Sequence, residues 1–420
     1  MPPQIASLPY VAYVPAVGPG DIDHSAAPAP GYNLYVPKPQ AAALLVDLQG
    51  RVVHRWGNAT GQPEAALAGR LADFLVGWQT VAAVPNLGLF AVVGRRSLLR
   101  LDADSRLLWK ADLPVHHDVA VRPDGGAVVL AERQRLVENL GRRRLILDDE
   151  VVFVSPGGST ERCLSLFDVF RRDPRLGPEM QARIAARFRR LDERGVASLL
   201  GESADAAAAQ ALLDGRPFAG DPREALTLLR ALPGSPPDLF HTNTVALLGR
   251  HPKGLWKDGD LLLCLRHWDR VVVIDPQRRQ VVWTWGEGVV EEPHTPSVLD
   301  DGRLLLLDNG TRHGRSRCLE VDPESGHVLW SYQASPPAAF FTPSEGGCLP
   351  LPAGHVLVTD SAKGRAFEVT RDHRVVWEYL NPVLTDGATR RSGIYRMVRL
   401  PADVLARQPR ASVDRRSAGR

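Results

Sequence analysis

A chain of 420 residues that is 44% hydrophobic, with 37 Gly and 34 Pro, has material for a large core, for many turns and so for many short strands. A net charge of +3 is too small to imply a nucleic-acid partner, and the arginine surplus gathers in the tail 407–420. No run of about 18 apolar residues exists, and the apolar, Pro-rich start 1–20 lacks the basic segment of a secretion signal, so the sequence as it stands predicts a cytoplasmic protein with no membrane partner, or a periplasmic one if a signal was removed.

Residues 1–30 are rich in Pro and Ala and predict an extension over the surface. From Gly31 a repeat begins whose second half is an apolar triplet, an acidic residue or Thr, a polar turn, two apolar residues and Trp. It reads Leu44-Leu45-Val46-Asp47 with Trp56, and Leu99-Arg100-Leu101-Asp102 with Trp109. Later copies are Val272-Val273-Ile274-Asp275 with Trp283, Leu319-Glu320-Val321-Asp322 with Trp330, and Phe367-Glu368-Val369-Thr370 with Trp377. A worn copy, Leu145-Ile146-Leu147-Asp148 with Val151-Val152-Phe153, stands between the second and third of these. Trp56 to Trp109 is 53 residues, and Trp283 to Trp330 and Trp330 to Trp377 are 47 each. A period near fifty with about four short strands per copy is a propeller blade, and six copies predict an all-β, six-bladed β-propeller over 31–400. The first copy has no inner strand ahead of Tyr32, and the alternating strand Ile394 to Leu400 has no blade after it, so the two are expected to pair and clasp the ring.

The segment 157–238 breaks the pattern with helix signals and predicts a helical insertion between blades 3 and 4. Pro178-Glu179 opens an amphipathic run through Met180, Ile184, Phe188 and Leu191, and further helices are expected over 206–213 and 223–229. Such an insertion is either packing on the propeller's side or face, or a lid over its channel. The basic stretch 401–420 is expected to be a disordered tail. The four cysteines, Cys163, Cys264, Cys318 and Cys348, show no CxxC spacing for zinc. Cys264 and Cys318 read as buried thiols, with one disulfide left open.

Histidines recur at one place in the repeat. His117 and His294 each precede the Gly of the following Asp-Gly turn by eight residues, and His241 opens the equivalent stretch of the blade between them. First strands of propeller blades line the central channel, so His117, His241 and His294 are expected to meet near the axis. The matching positions are Gln79 in the second blade and Gly346 in the sixth. His116 is expected to point away from His117, because strand side chains alternate.

Two chemistries fit three histidines. Neutral imidazoles can hold zinc, copper or iron(II) with an open position. Alternatively, imidazoles with a guanidinium can bind and transfer a sulfuryl or phosphoryl group. Arg266, in Leu265-Arg266-His267, and Arg312, after Asp308-Asn309-Gly310, favour the anion, since a guanidinium matches tetrahedral oxyanions and disfavours a second cation. No GxxxxGK[ST] loop, no GxGxxG and no Gly-x-Ser-x-Gly is present, which predicts no nucleotide cofactor and no nucleophile-elbow hydrolase. A propeller serving only as a binding scaffold is the third reading.

His117-Asp118, Phe240-His241-x-Asn243, Leu265-Arg266-His267, Pro293-His294 and Asp308-Asn309-Gly310 together resemble the bacterial aryl-sulfate sulfotransferases, in blade pattern over roughly 31–400 and closer to their shorter single-domain members. That family consists of six-bladed propellers that move a sulfuryl group between phenols without a nucleotide donor. The resemblance implies that His294 is the nucleophile that becomes transiently sulfated, and that His117, His241 and Arg266 grip the sulfate oxygens. Asn243, Asn309 and Arg312 are expected to contact substrate. An aryl sulfate and a phenol are the implied partners, with no cofactor. Hydrolysis by water is the variant outcome of the same chemistry.

Overall fold

The computed structural model describes residues 22–23, 25–38, 40–57, 77–139, 141–194, 238–385 and 390–406. Blade 1 takes β1 (Tyr32–Pro37), β2 (Ala42–Val46) and β3 (Val52–Gly57), and blade 2 takes β4 (Trp78–Val84), β5 (Gly88–Val93), β6 (Ser97–Leu101) and β7 (Leu107–Ala111). Blade 3 is β8 (Val115–Val121), β9 (Ala127–Asn139), β10 (Arg142–Val154) and β11 (Thr160–Ser165), followed by helices α1 (Leu166–Arg172) and α2 (Leu176–Arg194). Blade 4 is β12 (Thr242–Leu247), β13 (Leu261–Leu265), β14 (Arg270–Asp275) and β15 (Gln280–Trp285). Blade 5 is β16 (His294–Val298), β17 (Leu304–Asp308), β18 (Arg317–Val321) and β19 (Val328–Tyr332). Blade 6 is β20 (Gly347–Pro350), β21 (Val356–Asp360), β22 (Arg365–Val369) and β23 (Val375–Leu380). A short ribbon of β24 (Leu384–Thr385) and β25 (Arg390–Arg391) leads to β26 (Ile394–Leu400).

The six sheets are four-stranded, and β26 pairs antiparallel with β1 as the innermost strand of blade 1, with Leu34 opposite Val398. Six-bladed closure therefore follows the repeat and the two incomplete ends. Inner strands are buried on both faces because blades stack on each other, which is why Leu261–Leu265 is apolar at every position. Six apolar clusters fill the six junctions between neighbouring blades.

The outer-strand tryptophans lock these junctions. The indole N–H groups of Trp109, Trp283, Trp330 and Trp377 donate to Pro156, Pro323, Arg371 and Leu48 carbonyls at 2.8–3.0 Å, each in the turn between the third and fourth strands of the next blade. Trp56 donates to Leu87 at 2.8 Å, in the first turn of blade 2. A large ring that can also donate one hydrogen bond suits a half-buried seam.

Blade 3 has no such tryptophan, and the helices occupy its junction with blade 4. Phe167 and Phe170 of α1 and Met180, Ile184 and Phe188 of α2 pack with Phe240 and Trp268. Ser165 caps α1 by accepting from Asp168 N–H at 3.0 Å. The described part of the insertion is thus junction packing. The worn repeat copy differs from expectation: residues 142–154 form one unbroken strand paired along its whole length with β9, so the hairpin β9–β10 extends beyond the blade.

Cys318 and Cys348 form a disulfide between blades 5 and 6, with Cα atoms 5.8 Å apart, so Cys318 is not the free thiol expected. The two chains pass close enough because β18 and β20 face the same junction. Cys264 is a buried free thiol. Of the extension 1–30, the described residues lie on blade 6, where Asp23 N–H donates to Val375 O at 2.7 Å. The helices expected over 206–213 and 223–229, and the tail beyond 406, lie outside the described residues. No described helix is long and apolar enough to cross a membrane.

Candidate active site

The channel-facing strands carry β-bulges where the histidines sit. Pairing shifts between His116 and Val119 in β8, between Thr242 and Thr244 in β12, and between His294 and Ser297 in β16. His117, His241 and Thr295 adopt left-handed backbone at φ 60°, 50° and 48°. A bulge re-aims side chains that a regular pleat would alternate. His116 therefore does not point away from His117: their Nδ1 atoms are 2.7 Å apart, one N–H donating to the other lone pair.

His117 and His241 meet with ring centroids 4.8 Å apart, and Tyr395 of β26 lies 6.3 Å from His117. His241 Nδ1 is 2.5 Å from Asp238 Oδ2, and Asp238 Oδ1 accepts the His241 backbone N–H at 2.8 Å. The carboxylate thus fixes the proton on Nδ1 and leaves Nε2 as the acceptor. The His267 ring lies 4.7 Å from the His241 ring. Arg266 follows β13 directly, and its N–H donates to His241 O at 3.3 Å. Its guanidinium is ion-paired with Glu292.

His294 is fixed more tightly. Asn309 donates its amide N–H to Thr342 O at 2.8 Å and Glu345 O at 3.0 Å, so its Oδ1 faces His294 Nδ1 at 2.7 Å. Glu292 O lies 3.0 Å from the same nitrogen. Two acceptors around Nδ1 require a proton there, and Nε2 accepts the Glu345 N–H at 3.3 Å. The network therefore assigns His294 a lone pair on Nε2.

All three rings are held neutral. Burial, with the Arg266 cation next, pushes His294 down to about 3. Burial takes His241 to about 3 although Asp238 pulls the other way. His117 is depressed by burial first and by His241 and His116 next. Asp238, which burial would raise, is held well below the carboxylate range by His241. Arg266 bears on both His241 and His294, which ties the two halves of the cluster together.

Not every expected contact joins this cluster. Asn243 gives its amide N–H to Pro293 O at 2.8 Å, and Asn309 is spent on His294, so both position His294 where substrate contacts were expected. Arg312 is 60% exposed and binds Asp269 at 2.8 Å and Glu291 at 3.2 Å. Those carboxylates take up the guanidinium expected to reach substrate. A surface pocket of about 340 Å³ beside Asp308 and Gly310 contains none of the three histidines. The three-histidine metal arrangement is not formed either. Among the described residues, the groups with ligand atoms within 4.8 Å of one another are Asp238–His241–His267 and His116–Glu132–Asp149.

Four site residues escaped the sequence reading. Asp238 and Glu292 stand three and two residues before a site histidine, but nothing in the repeat marks them. Arg396 comes from β26, bonds Asp118 Oδ1 at 2.5 Å and bears on His294. Its Nε is buried without a hydrogen-bond partner. The signal for it was ring closure itself, since the closing strand becomes an inner strand. His116 was visible but was assigned the wrong face.

A model of the arylsulfotransferase (ASST) family matches residues 219–382, the segment that carries His241, Arg266, His294 and Asn309, and over it the chain resembles that family. Comparison with curated proteins finds no match. Among solved structures, a protein of unknown function from Bacteroides caccae is 13% identical, with 88% of this chain and 98% of that one covered and a TM-score of 0.48. Virginiamycin B lyase from Staphylococcus aureus is 8% identical, with 87% and 89% covered and a TM-score of 0.42. The fold rests on the strand order and not on these likenesses.

Proposed function

We propose that the protein transfers a sulfuryl group from an aryl sulfate to a phenolic acceptor, with His294 as the nucleophile. The observation that carries this is the fixed tautomer: a buried, neutral imidazole with its proton held at Nδ1 and its lone pair at Nε2. The Glu345 N–H gives up its long hydrogen bond to Nε2, whose lone pair then attacks sulfur; an N–S bond forms, the S–O bond to the aryl group breaks, and aryloxide leaves. The sulfated ring is cationic, and Asn309 Oδ1 and Glu292 O are already placed to accept its Nδ1–H. Negative charge on the sulfuryl oxygens and the departing aryloxide is met by Arg266 and Arg396, both of which bear on His294.

In the second half the acceptor oxygen attacks sulfur and the N–S bond breaks. The phenolic proton passes to His241 Nε2, whose Nδ1–H is backed by Asp238 as in a base–carboxylate dyad. The family match over 219–382 supports a transferase of this class. The disulfide between blades 5 and 6 supports an oxidising compartment such as the periplasm over the cytoplasm.

Turnover of a chromogenic aryl sulfate, with and without added phenol, tests the reading. Wild type is expected to release chromophore in proportion to added phenol, and His294→Ala to release none. Release by water alone converts the assignment to hydrolysis, and undiminished release by His294→Ala refutes the nucleophile.

A further inference from the structure

The third blade holds a second buried polar cluster that the transfer chemistry does not use. His116 lies on β8, Glu132 on β9 and Asp149 on β10, and they are 1%, 4% and 1% exposed. Glu132 and Asp149 stand directly opposite each other in the β9–β10 register. Like charges at such a pair repel, and burial removes the water that would screen them.

Arg95 reaches Glu132 only at 3.2–3.3 Å, long for a guanidinium on a carboxylate. Thr242 N–H donates to Asp149 Oδ2 at 2.8 Å, which leaves Oδ1 turned toward His116 Nε2 at 3.4 Å. That nitrogen is buried and has no hydrogen-bond partner. This imidazole nitrogen lies within 4.8 Å of a carboxylate oxygen of Glu132 and of Asp149.

We propose that His116 Nε2, Glu132 and Asp149 bind one divalent first-row cation, Zn²⁺ or Mn²⁺. The three ligand atoms already lie within 4.8 Å of one another. One imidazole and two carboxylates match these ions better than Mg²⁺, which prefers all-oxygen sites. Arg95 then serves as the outer partner of a metal-bound carboxylate.

The ion has a consequence for the neighbouring site, and this consequence alone rests on the transfer reading. With Nε2 on the metal, His116 carries its proton on Nδ1 and donates it to His117 Nδ1. The His117 proton then sits on Nε2, as a donor for a sulfuryl oxygen. The metal ion positions His117 and takes no part in the group transfer.

The test is titration of chelator-treated, full-length protein with ZnCl₂ or MnCl₂ by calorimetry. Wild type is expected to take up one equivalent. Asp149→Asn and His116→Gln are expected to weaken uptake at least about tenfold. Asp238→Asn, which disrupts the other three-residue group, is expected to bind like wild type. No stoichiometric uptake by wild type overturns the proposal, as does unchanged affinity in both blade-3 variants or loss of uptake in Asp238→Asn. Because removing a buried carboxylate can unfold the blade, nitrogen hyperfine coupling in the wild-type Mn²⁺ complex gives the same decision without a variant. One coupled imidazole nitrogen is expected, and none or two overturns the assignment. Aryl-sulfate turnover by His294→Ala leaves these ligands untouched, so either reading can fail alone.

Discussion

Replacing His294 with Gln should change how stability depends on pH, by an amount the site's burial sets. In the native protein the ring titrates at about 3 against 6.5 for an unperturbed histidine, because burial and Arg266 oppose its charge. Between those values the unfolded chain binds a proton that the native chain does not. Stability is therefore lost as pH falls from about 6.5 towards 3 and is unaffected above that window. The slope is about 1.4 kcal/mol per pH unit for one group. From pH 6.5 to 4.5 the loss is about 2 kcal/mol once partial protonation at the upper limit is counted. His294→Gln removes this term, so the stability gap between wild type and variant should narrow by that amount over the window, whatever the gap is at pH 7. Urea unfolding followed by tryptophan fluorescence at pH 6.5, 5.5 and 4.5 measures it. A gap that stays constant would mean that native His294 protonates like an ordinary imidazole. The neutral-nucleophile reasoning would then fail.

Glu292→Gln removes the carboxylate that competes with a substrate anion for Arg266, and KM for the aryl sulfate should fall about tenfold, equivalent to ~1.4 kcal/mol. A rise in KM would show instead that the pair holds Arg266 in place. Asp238→Asn should slow steady-state transfer to phenol about 100-fold while single-turnover release from the donor stays close to wild type, since only the acceptor step needs a base. Equal losses in both steps would remove Asp238 from that role. Cys318→Ala/Cys348→Ala opens a loop of 30 residues and should lower unfolding free energy by about 3–4 kcal/mol in urea. Alkylation of unreduced wild type at only two cysteines checks the bond directly.

Much of this molecule could be read from its repeats, and the reason is physical. Each blade must bury both faces against neighbours, so Trp56, Trp109, Trp283, Trp330 and Trp377 recur wherever a seam needs the same ring and the same donor. Blade 3 departs because α1 and α2 fill its seam with Phe170 and Phe188, which relieves that blade of its tryptophan and its regular turn. The candidate site was legible in the approach of His117 to His241 and of Arg266 to both His241 and His294, because repeat register sets equivalent strand ends side by side. It was not legible in their partners. A bulge adds one residue to a strand without a composition signature, and the bulge at His117 put His116 beside it. Asp238, in an isolated bridge to Leu147, and Glu292, in a bend, both lie ahead of their strands, where spacing carries no register. Asn243, Asn309 and Arg312 sat in the expected stretches, yet their bonds go to backbone, His294 and the carboxylates of Asp269 and Glu291.

Arg396 is where ring closure and the proposed chemistry would share one side chain, and the two can be separated by experiment. It arrives on the strand that completes blade 1, yet it pairs with Asp118 of blade 3, whose other oxygen accepts Val245 N–H of blade 4 at 3.2 Å. Arg396→Gln strands the buried Asp118 charge and should cost about 3–5 kcal/mol. Adding Asp118→Asn removes that charge and should restore most of the loss, because an uncompensated carboxylate is worse than no ion pair. Transfer should not recover with stability. If the guanidinium stabilises the sulfuryl oxygens, the stable double variant keeps a kcat lowered about 100-fold. A double variant that regains stability and kcat together would confine Arg396 to holding the ring shut.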